Sequence, residues 1–417
     1  MSLTKEQLLQ EGIQAKFLRY VQVDSQSQSG SSKTPSSEEQ WNMAKMLFEE
    51  LQTLGIEDAL LDEFGFVTGT LPASPGKENA PAIGYLAHYD TVPGLPAQNV
   101  KPILHHNYQG QVIQLEDGVV LDPELDASLK EVIGHDIISS DGKTLLGADD
   151  KSGVAAIMEA LCMFIKDPSL AHGPFKIGFT PDEEVGTGIR NFDVKRFGAI
   201  AAYTLDGGPA GGMQMETFNA SNYTIKITGR STHPGSARNT MINAIHIAGQ
   251  FCAMIPAGMR PETTDDVWGY IHPNTIQGTQ EEITMQVLIR DFDGDLFTAK
   301  KLMVESLVKQ LEQMNPGSHI TAIDNGGYRN MCEILKEKPE IVDIAKAAMQ
   351  KIGYEPQLSK VRGGTDGSQL TFMGLPTPNL FYGGSSAHAR YEWASVPWMQ
   401  KAAELILAIA DLWSLEK

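Results

Sequence analysis

The sequence predicts an α/β fold: a mixed, mostly parallel sheet flanked by helices, with a ferredoxin-like βαββαβ module inserted into it. Three observations predict it. Apolar runs of strand length alternate with helical patterns, as in sheets covered by helices. A different, period-two pattern occupies 217–328, and the α/β pattern resumes after it at 340–413. The 417 residues also exceed one typical domain. The expected division is a discontinuous α/β domain, 1–216 with 329–417, and an inserted domain, 217–328.

In the N-terminal third, Leu8, Leu9, Ile13, Phe17 and Leu18 recur at helical spacing. A second helix is expected from Ser36, with Glu39 completing a capping box and Trp41, Ala44, Phe48 and Leu51 in register. Between them QSQSGSSKTPSS reads as a polar loop. The strand-length runs are AIGYLA (82–87), FKIGFT (175–180), AIAAYTL (199–205) and NLFY (379–382). A helix is expected over 152–165, on Val154, Ile157, Met158 and Leu161.

Within the insertion SNYTIKITG alternates, and 241–252 is helical with Met241, Ile245, Ala248 and Cys252 on one face. A strand region, 266–278, turns at Gly278 into EEITMQVLIRD, where Ile283, Met285, Val287 and Ile289 alternate. A second helix carries Leu296, Ala299, Met303, Leu307, Leu311 and Met314, and HITAID closes the module as a strand.

Composition narrows the function classes. With 41% apolar residues the chain can bury a sizeable core, yet no apolar run is long enough to span a bilayer. The N-terminal MSLTKEQLLQEGIQAKF is too polar for a signal peptide, so a soluble, cytoplasmic protein without membrane partners is expected. Cys162, Cys252 and Cys332 are too few and too scattered for a disulfide framework or a thiolate metal knuckle. A formal charge of −19 argues against nucleic-acid binding.

Four acidic or histidine clusters follow the apolar runs. AIGYLA leads into His88 and Asp90, LLGA into Asp149, Asp150 and Lys151, FKIGFTP into Glu183 and Glu184, and AIAAYTL into Asp206 and two glycines. The C-terminal edge of a parallel sheet is where open α/β folds bind ligands. Alone, each cluster reads as turn chemistry or solvated charge. Together they place more negative charge at buried strand ends than such ends tolerate without cations.

A metal site follows. His88 can ligate through one ring nitrogen while Asp90 orients the ring. Asp149 can bridge two ions through its two oxygens, and Glu184 and Asp206 can each supply a terminal ligand. Among the scattered histidines His388 is the best further candidate, because it too follows an apolar run and a Gly-Gly turn. Two ions sharing a carboxylate lie about 3.5–4 Å apart in hydrolytic sites. Imidazole and carboxylate without thiolate suit zinc, and manganese and cobalt fit the same ligands. Glu183 is left over as the general base, and later the acid to a leaving amine.

With these residues in place, the chain resembles the peptidase T family of tripeptide aminopeptidases, in the co-catalytic zinc exopeptidase and aminoacylase clan. The resemblance runs nearly end to end, through TLLGADDKSG, PDEEVGTG, AYTLDGG, THPGSARNTMINA, IRDFD, RGGTDGSQL, FMGLPTPNLF and the span from His388 to Glu392. It implies two Zn2+ per chain, one held by His88, Asp149 and Asp206, the other by Asp149, Glu184 and His388. It further implies Glu183 as base, Asp90 as support for His88, and a cis peptide between Asp149 and Asp150. The inserted module resembles the clan's lid, which implies a homodimer through it. In the lid, His233 matches a histidine that stabilises the oxyanion, and Arg290 matches an arginine near the substrate carboxylate. Asn274, in HPNTIQG, resembles a substrate-contacting position of relatives that act on other amides, and HYDTVPG has the general clan form. The implied substrates are short peptides, tripeptides first. The alternatives on the same site are a dipeptidase, a carboxypeptidase or an N-acyl-amino-acid amidohydrolase. A two-metal phosphoesterase is disfavoured, because little fixed positive charge accompanies the cluster.

Overall fold

The computed structural model describes residues 3–416. The chain divides into two compact units. The first comprises the chain up to Met215, Glu333–Ser359 and the chain from Thr365 onward; the second comprises Glu216–Cys332 with Lys360–Gly364.

The first unit is built on a mixed sheet. Its centre is parallel: β1 (Ile83–His88) pairs with β2 (Phe175–Thr180) on one side and β3 (Ala201–Thr204) on the other, and β3 pairs with β4 (Asn379–Leu380). Val67–Leu71 and Gly212–Thr217 flank this centre antiparallel. Both faces are covered, which is why the strands read as unbroken apolar runs. On one face Ile83, Tyr85 and Ala87 join a core with helices Gln40–Leu54, α1 (Ala148–Lys166) and Val396–Trp413. On the other, Leu86 and Ala202 pack with Phe197 and Leu370. That face needs small residues: a Cβ on Gly84 would stand 2.5 Å from the Phe197 ring. In α1 every residue from Asp150 to Cys162 is buried, as expected of a helix in a core rather than on a surface.

Local signals moved in three places. The first expected helix is two, Lys5–Gln10 and Ile13–Val21, because Glu11 is extended and Gly12 caps the second. The helix expected from Ser36 starts at Gln40 without a side-chain cap. Ser36 instead gives both its N–H and its hydroxyl to Asp182, at 2.8 and 2.5 Å. A buried carboxylate distant in sequence outcompetes the local cap. LLGA forms no strand; Asp149 stands at the start of α1.

In the second unit an antiparallel sheet runs Tyr270–Gly278, Glu282–Asp291, Asn219–Thr228, His319–Asp324, the ferredoxin-like order. Ile283, Met285, Val287 and Ile289 face one core with helices Ala244–Met254 and Gly294–Met314. The inward faces overlap only in part with those expected: Ala248, Leu307 and Leu311 are buried as expected, and Cys252 and Met303 pack against the same core. Ala244, Ile247, Ala248 and Phe251 are buried, while Ile245 is exposed beside His246 and Gln250, whose polar side chains take the solvent face. In the other helix Leu296 and Met314 are exposed and Val304 and Val308 are buried. Among the described residues no helix is long and apolar enough to cross a membrane, and all three cysteines are free.

Candidate metal centre

Three parallel strand ends and one helix start build the centre. β1 delivers His88 at its last position, and Asp90 follows. β2 ends at Thr180; Asp182, at φ +58°, then turns the chain so that Glu183 and Glu184 follow in a short helical turn. The Asp90 carboxylate ties the two strand ends together, accepting from Glu183 N–H at 3.1 Å and Glu184 N–H at 3.3 Å. After β3, Leu205 N–H donates to the Leu86 carbonyl and Gly207 N–H to the Leu380 carbonyl, which fixes the backbone on either side of Asp206.

At the start of α1, Asp149 and Asp150 are joined by a cis peptide, as the resemblance implied. Both oxygens of the buried Glu392 serve this turn, accepting from Gly147 N–H at 2.7 Å and Asp149 N–H at 2.9 Å. Gly153 is obligatory here, for a Cβ would lie 2.4 Å from Asp150 Oδ1 and 2.6 Å from the Leu205 carbonyl.

The side chains converge. His88 Nε2 lies 3.0 Å from Asp149 Oδ1, and its Nδ1 lies 3.1 Å from the Asp90 carbonyl and 3.4 Å from the Asp90 carboxylate. Nδ1–H donating to Asp90 leaves Nε2 as the ligating nitrogen. His388 Nε2 lies 2.8 Å from Glu184 Oε2 and 3.4 Å from Asp149 Oδ2. The two oxygens of Asp149 thus face two different histidines. Ligand atoms of His88, Asp149 and Glu184 lie within 4.8 Å of one another.

The charges fit cations. Burial and the repulsion of Asp206 push Glu183 well above the usual carboxylate range, and burial with the repulsion of Asp149 does the same to Asp206. Burial raises Glu184 to about 7, outweighing its bond to His388. Burial also opposes the charge on Asp149, but bonds from His388 and His88 hold its carboxyl well below the ordinary range. Its own bonds to Asp149 and Glu184 raise His388 to about 11. Glu184 Oε1 is buried without a hydrogen-bond partner. Such an atom is costly unless a cation completes it. The donor set of imidazoles and carboxylates fits divalent metal.

This crowding sets a pH dependence for the chelated protein. Burial raises Glu184 from 4.5 to about 7 and, against the bond from Thr180, raises Asp366 from 3.8 to about 7. The fold prefers their protonated forms, so their contribution is full below the unfolded values and is lost as pH rises towards 7. His388, also raised, loses its contribution on the way from 6.5 to about 11, and Asp149, lowered, is constant above 3.8. Chelated protein is therefore expected to lose on the order of 1–3 kcal/mol between pH 5 and 8, whereas metal-loaded protein is not. Thermal melts with and without chelator at pH 5, 6.5 and 8 measure it; a gap that fails to widen with pH contradicts it.

Beside the centre lies a cavity of ≈ 730 Å³, bordered by His388 and walled by Leu95, Val119, Leu121, Leu125 and Trp393.

Residues 140–412 match the sequence pattern of Peptidase family M20/M25/M40. The chain is 46% identical, over 95% of its length and 97% of the relative's, to Peptidase T of Geobacillus kaustophilus (strain HTA426). The chain belongs to the peptidase T family. Among solved structures, aminopeptidase PepT of Bacillus cereus ATCC 10987 is similar over 100% of both chains, at 25% identity and a TM-score of 0.74. The Bacillus subtilis YXEP protein, described as a dinuclear metal-binding peptidase of the M20 family, shares the fold over 96% of this chain and 98% of its own, at 14% identity and a TM-score of 0.62. Membership of peptidase T makes this chain a metallo-exopeptidase of the tripeptide aminopeptidase kind.

Of the residues singled out in sequence, His88, Asp90, Asp149, Glu183, Glu184 and His388 are brought together within the first unit, and Asp206 repels Glu183 from beside them. The other three belong to the second unit. His233 is exposed and caps the turn Pro234–Ser236, its Nδ1 accepting from Gly235 N–H. Arg290 is half-buried, bonded to the Ser221 and Ile289 carbonyls and Asn222, and lies over the Tyr328 ring. It is not a loose charge at a strand end. Asn274 is exposed, at the register shift between Pro273 and Thr275. Sequence reasoning missed the supporting carboxylates: Glu392 under the Asp149 turn, Asp182 under the Glu183 turn, and Asp366 on Thr180. Only the spacing from His388 to Glu392 hinted at the first.

Proposed function

We propose that this chain removes the N-terminal residue of tripeptides at a pair of divalent metal ions, with Glu183 moving the proton. The observation that carries this reading is the division of labour between neighbours. Glu184 shares a cluster of mutually close ligand atoms with His88 and Asp149 and bonds His388, while Glu183, one residue earlier, is anchored through its backbone to Asp90 and is not in that cluster. His88, Asp149 and Asp206 would hold one ion, and Asp149, Glu184 and His388 the other. Bound divalent ions supply polarisation of the scissile carbonyl and a water pKa near about 7. Zinc suits these ligands best, and manganese and cobalt fit them.

The residues do the rest. Glu183 takes the proton of the attacking water and returns it to the departing amine. In the lid, the Nδ1 cap of His233 leaves Nε2–H as a donor, the form needed at a developing oxyanion. Arg290, fixed by its backbone bonds, recognises the substrate carboxylate, with Asn274 as a further contact. The apolar cavity beside His388 takes a substrate side chain. Homodimerisation through the lid rests on the family resemblance, and the three free cysteines fit a cytoplasmic setting.

The test is metal content together with hydrolysis of tripeptides bearing free or acetylated N-termini. We expect two metal equivalents and at least about 100-fold faster turnover of the free form, the size of effect that mispaired buried polar groups produce. Equal turnover of both forms would remove the aminopeptidase assignment.

A further inference from the structure

We propose that Asp126 is a positioning residue for His388, holding the segment that carries this histidine in its ligating conformation. The inference rests on the reading of His388 as a metal ligand. His388 lies between two short strands, Gly384–Ser385 and Trp393–Ser395, and no regular structure supports the residues between them. Ser386 and His388 both adopt left-handed backbone, at φ +57° and +62°. Left-handed backbone is uncommon for non-glycine residues, less so for His388 than for Ser386, and it is held here by the contacts around the segment.

On the far side of His388, Glu392 N–H donates to the Ala389 carbonyl and Ser140 Oγ to the Arg390 carbonyl; the side-chain donors of Ser385, Ser386 and Trp393 all meet one carboxylate. Asp126 Oδ2 accepts from Ser386 Oγ at 2.8 Å, Trp393 Nε1 at 2.8 Å and Ser385 Oγ at 3.1 Å. Its Oδ1 accepts from Ser128 N–H at 3.0 Å, which fixes the carboxylate on its own side. Donors on both sides of His388 thus meet at a single oxygen, and the fully buried Trp393 anchors the far end. Next to that anchor Glu392 grips the Asp149 turn, so the clamp sets His388 against Asp149 as well as against Glu184.

The experiment is zinc titration of the purified full-length protein, read by calorimetry and by metal content after dialysis, with melting temperature alongside. Asp126→Ala is expected to weaken one of two zinc equivalents by about 10–100-fold, the usual cost of losing a partner that orients a ligand. Asp126→Asn, whose carbonyl can accept the same three donors, should recover most of that loss. Ser386→Ala, which removes one donor, should lose a few-fold, and it serves if Asp126→Ala does not fold. A lowered melting temperature with both zinc affinities unchanged would overturn the inference. His388→Ala separates the two readings. If it loses one equivalent while Asp126→Ala does not, only the Asp126 assignment fails; if it loses none, the ligand assignment fails first.

Discussion

Glu183→Gln is expected to lower kcat on a tripeptide by roughly 10³-fold while leaving metal content and KM nearly unchanged. Glutamine keeps the volume and the backbone bond to Asp90 but cannot accept the proton. The side chain is half-buried beside Asp206, Asp366 and Glu184, whose charges oppose its own and favour its taking a proton. Cations in the centre relieve part of that repulsion and bring its affinity for protons toward the working pH. Metal analysis beside steady-state kinetics checks this. Activity within tenfold of the parent at full metal content would take the base role from Glu183.

Asp149→Ala should fail differently, losing both metal equivalents and on the order of 10³-fold or more in activity. Its two oxygens face His88 at 3.0 Å and His388 at 3.4 Å, so one substitution removes the element common to both proposed ligand sets. The fold should survive, because Glu392 holds the Asp149 backbone N–H and not its side chain. Circular dichroism and metal analysis of the variant measure both parts. One metal retained at parental affinity would show that Asp149 serves only one ion. The pair of variants therefore separates proton transfer from metal binding.

The sequence by itself determined the architecture and most of the chemistry of the first unit. Apolar runs of strand length mark a sheet buried on both faces, and FKIGFT matches its strand residue for residue, as HITAID does in the second unit. Acidic residues directly after such runs mark the ligand-binding edge, because the C-terminal ends of parallel strands converge there. What only the tertiary structure decided is which partner each polar group takes. Ser36 pairs with Asp182 rather than capping its own helix, and Glu392 supports a turn 243 residues away. Asp126 gathers three donors from around His388. Helix faces in the second unit were legible only in part: His246 and Gln250 mark the solvent side of Ala244–Met254, yet Ile245 lies with them because the core is filled by Ala244, Ile247, Ala248 and Phe251. The physical reason is common to all of these. Hydrophobic periodicity is a local property that the chain carries in its order, whereas a hydrogen bond between distant groups exists only after packing has brought them together.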